Sequence, residues 1–78
     1  MRIDRYLKVS RIVKRRQVAQ QMCDAGLINI NGKSAKPSTN IKIGDIIEMN
    51  TNRNYKFEVL NINEHASKED ACLMFKQL

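Results

Sequence analysis

Val18-Ala19-Gln20-Gln21-Met22-Cys23-Asp24-Ala25-Gly26-Leu27-Ile28-Asn29-Ile30-Asn31-Gly32-Lys33 contains the change of period on which the fold turns. In its first half Val18, Ala19, Met22 and Cys23 recur at the i, i+1, i+4, i+5 spacing of a buried helical stripe, with Gln17, Gln20, Gln21 and Asp24 on the wet side. Gly26 is the natural stop, because it adopts a left-handed backbone without a Cβ clash. Beyond it Ile28 and Ile30 alternate with Asn29 at the period of a strand, and Asn31-Gly32 is the strongest short hairpin signal. Lys33, Ser34 and Ala35 form the return, and Pro37, which lacks an N–H, ends the pairing.

Upstream, Ile3 and Leu7 sit four apart with Tyr6 beside them, the apolar face of a short first helix for which Asp4 is the candidate cap. That helix is too short to stand alone, so its inner face must pack on something, and Ser10 either ends it or caps the next segment. Downstream, residues 38–45 read as a loop with Ile41 and Ile43 as inward anchors and Gly44-Asp45 as a turn. Ile46 to Met49 is a strand, and Asn50 to Asn54 is turn-rich. Tyr55, Phe57 and Val59 alternate, with Leu60 and Ile62 extending that strand. Ser67 stands three residues before Asp70 in a capping-box arrangement, and Ala71, Met74, Phe75 and Leu78 come after it as an i, i+3, i+4, i+7 stripe. The stripe reads as a structural C-terminal helix, or as a protein-docking face if it stays exposed. The expected architecture is a single α+β domain over 1–78: two N-terminal helices on a small antiparallel sheet, then a C-terminal helix.

Charge is distributed unevenly. Arg2, Arg5, Lys8, Arg11, Lys14, Arg15 and Arg16 face one acid, Asp4, in the first sixteen residues, which therefore hold the whole net charge of +6. The rest of the chain is balanced. Self-repulsion on this scale gains the fold nothing, and a polyanion would relieve it. Arg15 and Arg16 fall in the first turn of the second helix, against the positive end of its dipole, where a bound anion would gain from both side chains and free backbone N–H groups. Lys33 and Lys36 beside the hairpin extend the candidate phosphate-binding surface, with Ser34, Ser38 and Thr39 as weaker donors. A membrane surface fits less well than nucleic acid, because Trp is absent and no large apolar face is free to insert. The four rings, Tyr6, Tyr55, Phe57 and Phe75, are too few for a stacked single strand. Phe57 and Phe75 read as core, and Tyr6 as a buried ring with its hydroxyl at the surface.

Other classes are disfavoured. A chain of 78 residues buries a modest core and leaves little room for a substrate cleft. Cys23 and Cys72 lie far apart among apolar neighbours and read as buried free thiols, neither a disulfide scaffold nor a zinc site. The basic N-terminus is not followed by the apolar run of a secretory signal, and nothing approaches a membrane span, so an intracellular, cytoplasmic protein is expected. His65 is the single histidine, no nucleotide-binding glycine loop or metal-ligand cluster occurs, and the reading is of no enzyme and no cofactor.

The stretch from Met1 to Met49 resembles the RNA-binding domain named after small-subunit ribosomal protein S-four. The likeness runs through Arg2-Ile3-Asp4-Arg5-Tyr6-Leu7, Arg11, Arg16-Gln17-Val18-Ala19, Gly26, Ile30-Asn31-Gly32, Lys36-Pro37-Ser38 and Gly44-Asp45. One departure is Arg15, where many members have a serine. Within that superfamily the run Lys8 to Arg16 and the tail Ser67-Lys68-Glu69-Asp70-Ala71 with Met74 and Phe75 resemble the short ribosome-associated quality control P factors, the RqcP family. The related fifteen-kilodalton heat-shock protein usually carries a longer basic C-terminal extension. The resemblance implies that 1–49 is the RNA-binding motif proper and 50–78 the last strand and C-terminal helix. It implies a non-catalytic factor on a large ribosomal subunit obstructed by peptidyl-tRNA, in contact with large-subunit rRNA and tRNA. A partner that brings alanyl-tRNA would then support alanine tailing of the stalled chain. RNA contact falls on Arg2, Arg5, Arg11, Lys14, Arg15 and Arg16, with Arg2 and Asp4 also orienting the first helix. Two alternatives remain at this point: a general structured-RNA module in ribosome assembly or heat stress, and a fragment of an RNA-modifying enzyme.

Overall fold

The computed structural model describes every residue from Met1 to Leu78. Two helices, α1 (Ile3–Val9) and α2 (Arg16–Asp24), precede four strands, β1 (Ile28–Ile30), β2 (Lys33–Ser34), β3 (Ile46–Asn50) and β4 (Asn54–Val59). A one-turn helix, α3 (Lys68–Ala71), and a last strand, β5 (Phe75–Gln77), close the chain. All pairings are antiparallel, in the order β2-β1-β3-β4-β5. The expected α+β class is what forms.

Ile3, Tyr6 and Leu7 of α1 are completely buried and meet Ala19 and Cys23 of α2, Ile28 of β1, Ile47 of β3 and Val59 of β4 in one core. Each such large apolar side chain contributes about 1.5–3 kcal/mol of burial. The α2 stop has the double hydrogen bond of a Schellman motif: Gly26 N–H donates to Cys23 and Leu27 N–H to Met22, with Gly26 at φ +76°. The hairpin turn has φ +52° at Asn31 and +83° at Gly32, the paired positive values of a type I′ turn. Asn31 does more than turn the chain. Its side-chain amide donates to Asp45 at 3.0 Å, and its carbonyl oxygen accepts from Ile46 N–H at 2.9 Å, which ties the hairpin to the start of β3.

The structure departs from the sequence reading where tertiary partners decide. Asp4 does not cap α1: Arg2 holds the cap position, and Asp4 lies inside the first turn. Val18 is exposed because α2 buries only the narrower Ala19–Cys23 line. Ile41 is buried, but Ile43 is exposed at the turn that Gly44 closes. β4 stops at Val59; Leu60 is exposed and lies outside it. Ser67 Oγ does accept from Asp70 N–H at 3.2 Å, yet the helix it caps lasts one turn. Met74 then goes into the core, and Phe75 continues as β5 along the open edge of β4, edge-on to Phe57 with ring centroids 5.4 Å apart. An available sheet edge and an aromatic partner override the helical spacing of the tail, and Leu78 is left exposed. The Tyr6 hydroxyl is buried, not at the surface. It donates to the Met74 carbonyl at 2.7 Å, and burial pushes its pKa up to about 12. Cys23 is buried as expected, with its thiol pushed up to about 11 by burial and by the carboxylates of Asp4 and Asp24, whereas Cys72 is exposed on the short α3 turn.

Candidate nucleic-acid interface

The seven cations of the first sixteen residues divide into two groups. Arg2 and Arg16 converge on Asp4, a carboxylate with no exposed surface. Arg2 Nη2 donates to Asp4 Oδ2 at 3.1 Å and Arg16 Nη2 to Oδ1 at 3.4 Å. Gln20 Nε2 donates to Oδ2 at 2.9 Å, and the backbone N–H of Arg5 to Oδ1 at 2.7 Å. Arg16 Nε lies 3.3 Å from Oδ2, close enough to pair electrostatically but without hydrogen-bond alignment. Burial alone would push the Asp4 carboxyl up. Hydrogen bonds from Gln20, Arg16 and the Arg5 backbone, with the Arg16 charge, outweigh it and hold the pKa below its ordinary 3.8. Asp4 therefore staples the first turn of α1 to the first turns of α2.

The second group has no acidic partner, because both ion pairs of the protein end on Asp4. Arg5 is half-buried on α1, while Lys8, Arg11, Lys14 and Arg15 are exposed along the end of α1 and the connection to α2. Arg11 occupies the left-handed position after α1, at φ +64°, where glycine is the usual residue. A non-glycine residue there costs of order 1 kcal/mol. Arg15 is the N-cap of α2 and makes no side-chain cap bond, so the first N–H groups of that helix carry no side-chain acceptor from the cap.

The protein has two grooves, the first of which includes Lys14 and Arg15 of this run. One, of about 550 Å³, is lined by Ile12, Val13, Val18, Met22 and Met49 together with Lys14 and Arg15. The other, of about 520 Å³, is polar and brings Arg2 and Lys36 together with Asp24, Ser34, Pro37 and Ser38. Lys33 is exposed on the edge strand β2. Thr39 is already engaged, its Oγ1 accepting from Lys36 N–H at 2.9 Å. No group of three His, Cys, Asp or Glu side chains is placed to hold a metal ion, and no helix is long and apolar enough to cross a membrane.

Gln20 is a partner of Asp4 that the helical pattern assigns to water. Its spacing of four from Arg16 puts both on one face of α2, and that is the signal the sequence offers for it. The open apolar groove is likewise hidden in the pattern, because the stripe places Val18 in the core.

Residues 1–47 match the S4 domain family. The chain is 46% identical over 77 residues to the RQC P-site tRNA stabilizing factor of Streptococcus pneumoniae, covering 97% of this chain and 88% of that one. It is 42% identical over 76 residues to the factor of the same name from Listeria innocua, covering 96% and 83%. Among solved structures, Vibrio cholerae Heat Shock Protein 15 superposes with a TM-score of 0.91 at 25% identity, over 100% of this chain and 81% of that one.

Proposed function

The chain belongs to the family of RQC P-site tRNA stabilizing factors, and from that premise we propose that it is a non-catalytic, cytoplasmic RNA-binding factor of ribosome-associated quality control. It binds a large ribosomal subunit obstructed by peptidyl-tRNA and contacts both large-subunit rRNA and the tRNA. The subunit so held supports C-terminal alanine tailing, with alanyl-tRNA brought by a separate partner protein. The supporting observation is the unpaired cationic run of Arg5, Lys8, Arg11, Lys14 and Arg15 on a rigid helical pair, where guanidinium forks and ammonium groups meet phosphates without first breaking internal ion pairs. Arg2, Arg16, Lys33 and Lys36 extend the surface, with Arg2 and Lys36 lining one polar groove.

Crosslinking in cells tests the assignment. Recovery of peptidyl-tRNA on free large subunits supports it, whereas recovery of vacant precursor subunits favours the second reading, an assembly or heat-stress RNA module, to which the fold likeness to Heat Shock Protein 15 lends weight. With about five phosphates contacted, affinity for large subunits should fall with a logarithmic salt slope of roughly −3 to −5.

A further inference from the structure

From the apolar groove beside the cationic run we infer a binding site for one unpaired nucleotide of RNA, its base on Val18, Met22 and Met49 and its phosphate on Lys14 and Arg15. The inference rests on the RNA-binding reading and names what that surface recognises beyond phosphate. Val18 is 40% exposed, and Met22 and Met49 pack one side against the core while remaining partly open, so α2 and the end of β3 leave a strip of apolar surface exposed. The remaining charged lining is cationic, with no acid. A ligand complementary to this has a flat apolar face joined at short range to an anionic group, which describes a nucleotide turned out of its stack. The volume of about 550 Å³ lies within the range of roughly 300–1,000 Å³ found for small-ligand sites. Thioethers are polarizable and adapt to a ring face, and the Arg15 guanidinium offers a second plane. Continuity favours RNA over a protein helix: Lys14 and Arg15 belong to both the groove and the cationic run. A fully paired helix offers no base face to the groove. The site therefore turns a phosphate-binding surface into one that distinguishes bulged or looped RNA from plain duplex.

The test compares an RNA hairpin carrying one unpaired adenine with the same hairpin fully paired, both titrated with the full chain. The wild type should prefer the bulged RNA by about tenfold, as expected for one stacked base. Val18→Asn, neutral and at an exposed position, should bring the ratio close to one while affinity for the paired hairpin and its salt slope stay unchanged. Val18→Leu should keep the preference, which guards against a folding defect in the first variant. Equal affinity of the wild type for both RNAs, or an undiminished preference in Val18→Asn, overturns the nucleotide site but leaves the RNA-binding reading standing. Failure to bind either hairpin overturns the nucleotide site alone, because the RNA-binding reading stands or falls with binding to large subunits. Loss of binding to obstructed large subunits by Val18→Asn, with no bulge preference in the wild type, assigns the groove to a protein surface and overturns the nucleotide.

Discussion

The start of α1 and the connection between α1 and α2 carry the same kind of side chain at similar density and use it in opposite ways. At the start of α1, Arg2 and Arg16 are drawn to a buried carboxylate, and their charge stabilises the fold. At the end of α1 and in the connection, Lys8, Arg11, Lys14 and Arg15 have no acid to meet, and at Arg11 the backbone is even strained. A run of cations in a sequence is thus two populations in the structure, and what divides them is whether a buried acceptor lies within reach. The division predicts that variants in the first group lose binding through instability, and variants in the second lose binding alone.

The sharpest way to break the comparison is Asp4→Ala. Removing the acceptor leaves Arg2, Arg16 and Gln20 without their shared partner, although both guanidinium groups keep partial access to water. The expected loss of stability is up to about 3 kcal/mol, measured by denaturant unfolding. The same residue predicts acid sensitivity. Its folded pKa lies below the ordinary 3.8, so its contribution is present above that pH and disappears as the pH falls through the folded value. Asp4→Asn should show a flatter stability profile below pH 3.8 than the wild type. Equal profiles would place the acid sensitivity elsewhere.

Arg16→Ala comes next. The sequence reads Arg16 as a phosphate-facing cation of the helical segment, whereas the structure ties it to Asp4. Arg16 serves a fully buried carboxylate, so truncation should cost about 1–3 kcal/mol, while the neighbouring Arg15→Ala should cost close to nothing and still weaken binding to large subunits. If both arginines behaved alike in thermal melts, the two populations would merge into one.

How far the sequence alone reveals this depends on how local each cause is. Gly26 and Asn31-Gly32 are legible because their conformations are decided within four or five residues. The Ile3–Tyr6–Leu7 face is legible because one helical turn determines it. The width of the buried stripe on α2 is not, because Val18 is open or closed according to what β3 places opposite. The tail reads as a helix by its spacing and forms β5 instead, because β4 offers an edge that no pattern within residues 71–78 announces. The cationic surface is visible as composition. Its partition is not, since the Asp4 cluster joins positions 2, 4, 16 and 20 only after two helices pack.

Arg11→Gly should move stability and binding in opposite directions. Glycine accepts φ +64° without the Cβ clash, so the variant should gain up to about 1 kcal/mol in unfolding experiments. It also loses a guanidinium from the unpaired run, so its affinity for large subunits should fall. A gain in both would mean that the strain at Arg11 serves no ligand; a loss in both would mean that its side chain packs in a way its exposure does not suggest.

Lys8→Ala carries the smallest thermodynamic effect and the most specific one. Lys8 is exposed, has no ion pair and sits in the last turn of α1, where its charge gains only slightly from the helix dipole. Stability should therefore stay within about 0.5 kcal/mol of the wild type. If the ammonium meets a phosphate, the salt slope of binding should shrink by roughly 0.7–0.9, one released counterion's share. Affinity at a single salt concentration cannot separate a direct contact from a general lowering of positive potential, but the slope can. A reduced affinity with an unchanged slope would move Lys8 from the contact surface to the background field and leave Arg11, Lys14 and Arg15 as the core of the unpaired population.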